Sequence, residues 1–239
     1  ALALPTLLFM VIGGTFAAAT FGEWRQLPTI EPIAFQTSFS WPLALIIQLG
    51  ILAGLYGVLL KIEKRKHQNS EKLFSLKSNA YHPFLMAAIG LAIFNSTLFM
   101  VSGTPWSISA VFPYWGTKLM DLFSLPVDWT FWDYAMENPK HLNSSLFTNP
   151  ISLTTIGVVL GALIVSLIKP RTKVPFSIKS LIASMFGGII MGFGAVLASG
   201  CNIGAFFSGI ASGSLHGWVW LLFALLGNII GLQLRKKII

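Results

Sequence analysis

The chain has 239 residues and a net charge of +8, with 54% hydrophobic and only 10% charged residues. An ordinary soluble domain carries about a quarter charged residues, so this composition excludes a soluble globule of this size. The basic residues lie in short clusters between long apolar runs, whereas a nucleic-acid binder gathers them on one face or tail among aromatic residues. We therefore expect membrane lipids around the chain and no nucleic acid.

Six segments are predicted to cross a membrane, because about 20 apolar residues are needed to span the hydrocarbon core. They are Ala3–Phe21, Trp41–Ile62, Phe84–Ser102, Ile151–Ile168, Leu181–Ser199 and Gly217–Leu234. Backbone groups in lipid need internal partners, so these segments are expected to be helices. The sequence predicts an all-α membrane protein with about six transmembrane helices and short broken or re-entrant helices in internal repeats.

The first segment begins at Ala1 without a basic stretch before it, which is unlike a signal peptide. We interpret it as a spanning helix that the sequence enters partway. Residues 1–239 are then a single transmembrane domain, expected to be the C-terminal part of a longer protein.

The orientation of the spans follows from their loops. Thirteen of the sixteen basic residues fall between Lys61 and Lys77, between Lys169 and Lys179, or in the tail from Arg235. Six alternating spans place all three clusters on one side, and the positive-inside rule makes that side cytoplasmic. We expect a multi-pass protein of the bacterial inner membrane with a cytoplasmic C-terminus.

The segment Leu119–Pro150 mixes aromatic and acidic residues and is not a span. Since six of the eight acidic residues lie on its side, it is predicted to be extracytoplasmic. We interpret it as an interfacial loop with an aromatic belt, in preference to a binding lip.

An internal repeat follows the third and fifth spans. Ser102-Gly103-Thr104 comes after the third span and Ser199-Gly200-Cys201 after the fifth, and each is followed by a stretch too short to cross, Ser107–Lys118 and Gly204–Leu215. The predicted topology makes the two units parallel. Transporters commonly contain such repeats, with broken helices at the substrate site.

The second of these breaks is the best candidate site. Glycine and asparagine permit unusual backbone angles, and Ser199 and Asn202 are polar at membrane depth, which favours a broken helix facing protein or water. A short helix starting near Asn202 or Gly204 would point its free N–H groups and positive dipole end at the break. That arrangement binds an anion without Lys or Arg, and none occurs between Lys179 and Arg235.

Cys201, the only cysteine, would lie at the start of that helix. A lone cysteine is often an inert packing residue. Here its polarizable thiol, a weak S–H donor, suits an anion with a terminal sulfur better than a hard oxyanion. We favour the functional interpretation.

Two aromatic residues near the breaks leave alternatives open. His216 is either a gate or an interfacial residue at a helix end, and we favour the second interpretation. Trp106, after Pro105, either lines the first short segment or anchors at the interface.

The sequence contains no Walker-type phosphate loop, no acid–base pair at membrane depth and no metal-ligand cluster. We therefore expect neither enzymatic activity nor a cofactor or metal.

Two motifs resemble those of YeeE/YedE-type membrane proteins. The C-terminal motif is MGFGAVLASGCNIG at Met191–Gly204 with FSGIASGSLHGWVW at Phe207–Trp220, and GTPW from Gly103 with YWGTK from Tyr114 is similar to the preceding motif. The resemblance implies import of thiosulfate or related sulfur compounds through an hourglass of spanning and short helices. It also implies a narrow path of cysteines that pass substrate by S–H···S contacts, with Cys201 as one of them. Thr104 occupies the position in the first repeat unit that corresponds to Cys201, where the repeat would place another cysteine.

Three hypotheses follow for the function. The leading one is a transporter importing thiosulfate or a related small sulfur-containing anion past Ser199, Gly200, Cys201, Asn202 and Gly204, with Thr104, Trp106 and His216 as further path residues. The alternative is a membrane partner that handles persulfide sulfur or selenium for a cytosolic sulfurtransferase-like carrier. The third is a structural subunit without a substrate path.

Overall fold

The computed structural model of the chain describes residues 3–67, 83–168 and 177–238. Its regular elements there are all helical, apart from one isolated β-bridge. The helices are α1 (Ala3–Ala19), α2 (Phe21–Arg25), α3 (Phe35–Ser38), α4 (Trp41–His67), α5 (Pro83–Ser102), α6 (Val111–Leu122), a 3-10 turn (Trp129–Phe131), α7 (Asp133–Glu137), α8 (Pro139–Leu142), α9 (Pro150–Ile168), α10 (Ile178–Leu197), a π-helix (Asn202–Ser208), α11 (Gly209–Ala211) and α12 (Leu215–Ile238).

Five of these helices, α4, α5, α9, α10 and α12, are long and apolar enough to cross a membrane. The remaining predicted span, the first in the chain, is the apolar helix α1, whose 17 residues lie at the lower end of the spanning range. It ends at Ala19, two residues before the predicted boundary. The all-α membrane fold is thus confirmed. The basic loops that set the predicted orientation lie largely outside the described residues.

The helices α1 and α10 form the closest pair in the fold. A Cβ atom added at Gly188 would lie 2.6 Å from the Thr6 carbonyl oxygen, and one at Gly192 would overlap the Met10 carbonyl. Equal steps of four residues on both helices mean that they run parallel, as first and fifth spans of an alternating topology must. Glycines four residues apart predict close helix packing in lipid, and the structure confirms that packing at Gly188 and Gly192.

The short helix α6 is the buried centre of the molecule. Val111, Phe112 and Tyr114 are at most 2% exposed and belong to the main hydrophobic core. Helix α6 packs on α1, where Phe112 lies against Gly14 and Thr15 lies against Gly116. The predicted short segment Ser107–Lys118 is therefore a short linker with a turn at residues 108–110, followed by a helix that continues to Leu122.

The segment between α6 and α9 is folded rather than loose. Trp129, Ala135 and Leu142 are buried in the same core as α6, and the Trp129 indole N–H donates to Asp121 at 2.8 Å. Arg25 of α2 forms an ion pair with Glu137. Burial raises the pKa of Tyr134 to about 12. This segment therefore caps α1 and α6.

Three glycine pairs have open surroundings. No atom of another described element lies within 4 Å of a Cβ added at Gly50 and Gly54, Gly157 and Gly161, or Gly227 and Gly231. Glycines spaced four apart predict close helix packing at these positions too, but no described neighbour packs against them. Their faces on α4, α9 and α12 are not covered by other described residues.

Candidate functional site: two helix breaks that meet

Helix α10 ends in a capped break, as the sequence predicts. Ser199 adopts a left-handed conformation with φ of 49°. The Gly200 N–H donates to the Ala195 carbonyl at 2.9 Å and the Ser199 N–H donates to the Val196 carbonyl at 3.0 Å. This pair of bonds is the Schellman motif, which satisfies the last carbonyls of a helix and turns the chain aside.

Gly200 lies where no side chain fits. It is buried, and a Cβ atom there would lie 2.6 Å from the Ala205 amide nitrogen and 2.7 Å from the Ala205 Cβ. The backbone of the next helix therefore packs directly onto the end of α10. This contact places the break and the following helix in one compact unit.

Cys201 is an extended residue between the break and the π-helix, with φ of −116° and ψ of −171°. Its side chain is half-buried and its thiol is free. The Cys201 carbonyl accepts from both Ala205 (2.8 Å) and Phe206 (3.3 Å). The thiol therefore sits at the helix start that the sequence predicts.

The helix that begins at Asn202 is a π-helix, a rare form that often occurs at functional sites. Its first three residues, Asn202, Ile203 and Gly204, donate to no backbone carbonyl within the described ranges. Such free N–H groups at a helix start attract negative charge. After Ser208 the helix continues as α11, and the chain then turns into α12. The π-helix, α11 and the first turns of α12, which packs against the π-helix, are together called the hairpin.

The first break, after α5, is built differently. Gly103 has φ of 70° and its N–H donates to the Phe99 carbonyl at 2.9 Å, which ends α5. The chain then folds back, since the Trp106 N–H donates to the Asn95 side chain at 3.3 Å. The left-handed residue is the glycine here and the serine in the second break. The two repeats are therefore related in sequence, but their turns differ by one residue.

The structure brings the two breaks together. The Ser208 hydroxyl donates to the Trp106 carbonyl at 2.9 Å. A Cβ atom at Gly204 would lie 2.9 Å from the Ser107 hydroxyl oxygen, so the linker between α5 and α6 lies against the π-helix. The segments that follow the two breaks are thus in physical contact.

Two tryptophan side chains near this contact have unsatisfied donors. The indole N–H groups of Trp106 and Trp218 are buried and have no hydrogen-bond partner in the described part of the chain. Trp218 follows Gly217 in α12. A Cβ atom added at Gly217 would lie 2.8 Å from the Ala205 carbonyl oxygen, so this turn of α12 lies against the π-helix. Buried donors without partners are uncommon and call for an explanation.

A two-residue bridge holds the far end of the hairpin. The Phe35 N–H donates to the Gly213 carbonyl at 2.8 Å, and the Leu215 N–H donates to the Ile33 carbonyl at 3.0 Å. These bonds pair Ala34 with Ser214 in antiparallel fashion. The segment between α2 and α3 therefore anchors the turn before α12.

The other predicted path residues are placed apart from these contacts. Thr104 is exposed and hydrogen-bonds only locally with Ser102. His216 is exposed on the first turn of α12, beyond the bridge, and Ser199 and Asn202 are also exposed. The structure thus groups Gly200, Cys201, Gly204 and Trp106 around the hairpin, while Thr104 and His216 lie at its margins.

Several residues of the site were missed by sequence reasoning. Ser107 and Ser208 join the two breaks, Trp218 supplies a second buried donor, and Ile33–Phe35 anchors the hairpin. Asn95, a polar residue inside the apolar helix α5, accepts the bond that holds the first linker. A serine or tryptophan in an apolar chain carries no signal of these pairings. The position of Ser107 directly after the first break is the only available hint.

The fold and site define a multi-pass α-helical membrane protein with a broken-helix centre, an architecture typical of transporters. The chain belongs to the sulphur transport family, whose sequence pattern matches residues 1–230. This finding confirms the resemblance to YeeE/YedE-type proteins.

Curated relatives agree with the family. The chain is 32% identical over 148 residues to the probable transporter YedE of Escherichia coli, a match covering 61% of the chain and 36% of the relative. It is 36% identical over 78 residues to the thiosulfate transporter TsuA of Spirochaeta thermophila, covering 32% of the chain and 24% of that protein. The match thus spans about a third of the first relative's length. No solved structure matches the chain significantly.

Proposed function

We propose that this chain forms part of a transporter that imports thiosulfate or a related small sulfur-containing anion into the bacterial cytoplasm past Cys201. The observation that carries the proposal is the free, half-buried thiol at the start of a π-helix whose first N–H groups have no backbone acceptors in the described part of the chain. Those groups favour an anion, and the thiol favours sulfur. The family and the thiosulfate transporters among the relatives support this substrate class.

The contact between the two breaks supports a shared passage. Trp106 and Ser107 lie against the π-helix through Ser208 and Gly204, so a small anion at the hairpin would meet groups from both units. No arginine or lysine occurs between Lys179 and Arg235, so neutral donors would have to bind the anion. A charge-neutral site fits this depth, because a fixed cation inside the membrane is costly.

Replacing Cys201 by alanine or serine is expected to abolish thiosulfate uptake while leaving membrane insertion intact. Serine keeps the volume and a donor but removes the polarizable sulfur. The measurement is growth and labelled thiosulfate uptake by cells that depend on the complete protein. Ala211→Ser, an exposed change on the same hairpin, serves as the control.

Normal uptake by both Cys201 variants would make the cysteine a packing residue and refute its proposed role. Absence of uptake in the wild type, together with a sulfur adduct on Cys201 seen by mass spectrometry, would instead favour the persulfide-handling alternative. In that case a cytosolic sulfurtransferase-like carrier would be the partner.

Replacing Trp106 by phenylalanine is expected to raise the KM for thiosulfate at least about tenfold, because a hydrogen bond to a charged group contributes about 1.5–3 kcal/mol. Phenylalanine keeps an aromatic ring but deletes the buried N–H that has no partner among the described residues, together with part of the ring system. Transport kinetics in proteoliposomes measure the effect. Trp24→Phe is the matched control, since the Trp24 indole already donates to Thr20. An unchanged KM in Trp106→Phe would remove Trp106 from the path.

A further inference from the structure

A second feature lies away from the helix breaks, in a cleft between α1, α6 and α9. The cleft has a volume of about 340 Å³, and its walls are almost entirely apolar. They include Leu7 and Val11 of α1, Leu122 of α6 and Ile156 of α9. None of the path residues proposed above lines it.

Lys118 is the one charged residue on the wall of this cleft. Its side chain is half-buried, and its ammonium nitrogen lies 5.7 Å from the centre of the Tyr114 ring. Among the described residues the only ion pair joins Arg25 to Glu137, so no described carboxylate lies within ion-pair distance of Lys118. Because the cleft lining is almost entirely apolar, the stem of Lys118 lines the cleft and its ammonium group lies at the margin. The cleft therefore combines apolar walls with one positive charge at its margin.

We propose that this cleft binds an anionic phospholipid, with an acyl chain along the apolar walls and the phosphate group at Lys118. The acyl chain matches Leu7, Val11 and Leu122, and the phosphate supplies the anion that Lys118 lacks. An apolar protein segment in the same place would leave the lysine charge buried without a partner, which is costly in a membrane. A free inorganic anion would gain nothing from the apolar walls.

The test uses the complete protein reconstituted in nanodiscs containing equal amounts of phosphatidylglycerol and phosphatidylcholine, followed by native mass spectrometry of retained lipids. The wild type is expected to retain phosphatidylglycerol about fivefold over phosphatidylcholine, in line with the attraction of one lysine near a membrane surface. Lys118→Gln is expected to abolish this preference. Lys140→Gln, an exposed lysine on α8 outside the cleft, is expected to preserve it.

A second variant tests the apolar part of the site. Ile156→Trp fills the cleft and is expected to lower retention of both lipids at least threefold. Equal retention of the two lipids by the wild type would overturn the proposal, as would an equal loss of preference in Lys140→Gln. Absence of any retained lipid in the wild type would mean that another part of the protein covers the cleft, and it would overturn the proposal as well.

Discussion

Valine in place of Gly200 is expected to lower thiosulfate uptake at least tenfold without loss of membrane insertion. A Cβ atom at this position would lie 2.6 Å from the Ala205 nitrogen, closer than real Cβ contacts allow. Because the obstacle is backbone, the π-helix itself would have to move away from α10. Overpacking of this kind costs about 1–3 kcal/mol, and each 1.4 kcal/mol corresponds to tenfold in an equilibrium. Uptake by cells with matched amounts of protein measures the effect.

Gly194→Val provides the matched control for this prediction. Gly194 lies on α10 shortly before the break, and no atom of another described element lies within 4 Å of a Cβ added there. We expect this variant to transport at the wild-type rate. If both variants lost uptake equally, the effect would come from changes to α10 in general. If Gly200→Val transported normally, the tight contact between the break and the π-helix would have no role in transport.

The long helices of this fold were predictable from the sequence because each corresponds to a continuous apolar run. The predicted span Trp41–Ile62 corresponds to α4, and Leu181–Ser199 corresponds to α10, with ends displaced by a few residues. The lipid solvent leaves few alternatives to a helix for such a run. The folded segment between α6 and α9, which caps α1 and α6, was less predictable. Burial of Trp129 and Leu142 depends on tertiary packing rather than on the local sequence pattern.

The second break was predictable because Ser199, Gly200 and Asn202 are unfavourable inside a spanning helix. Its partner was not. The bond from Ser208 to Trp106 joins residues 102 positions apart, and no local signal specifies such a pairing. The π-helical form of Asn202–Ser208 was also absent from the prediction, because its sequence does not differ from that of a short α-helix with glycines.

Glycine spacing illustrates the same limit. Gly188 and Gly192 contact another helix, whereas Gly157 and Gly161 meet nothing in the described residues, although both pairs are four apart. Spacing identifies a face on which helices can approach closely. It does not identify which partner, if any, occupies that face.

Gly192→Leu is expected to destabilise the protein by about 3 kcal/mol, the upper end of the range for overpacking. The side chain would have to enter the space held by the Met10 backbone, so α1 and α10 could not keep their separation. For a chain of this length that cost corresponds to about 10 °C in Tm. Thermal unfolding can be followed by a thiol-reactive dye, because the chain has one cysteine, the half-buried Cys201.

Gly187→Leu separates this effect from a general intolerance of α10 to large side chains. Gly187 is on the same helix and has no described atom within 4 Å of an added Cβ, so its Tm is expected to stay within about 2 °C of the wild type. Equal Tm values for the two variants would contradict close packing of α1 on α10. A low Tm confined to Gly192→Leu would instead show that the packing of α1 on α10 stabilises the helix that ends in the break at Ser199–Cys201.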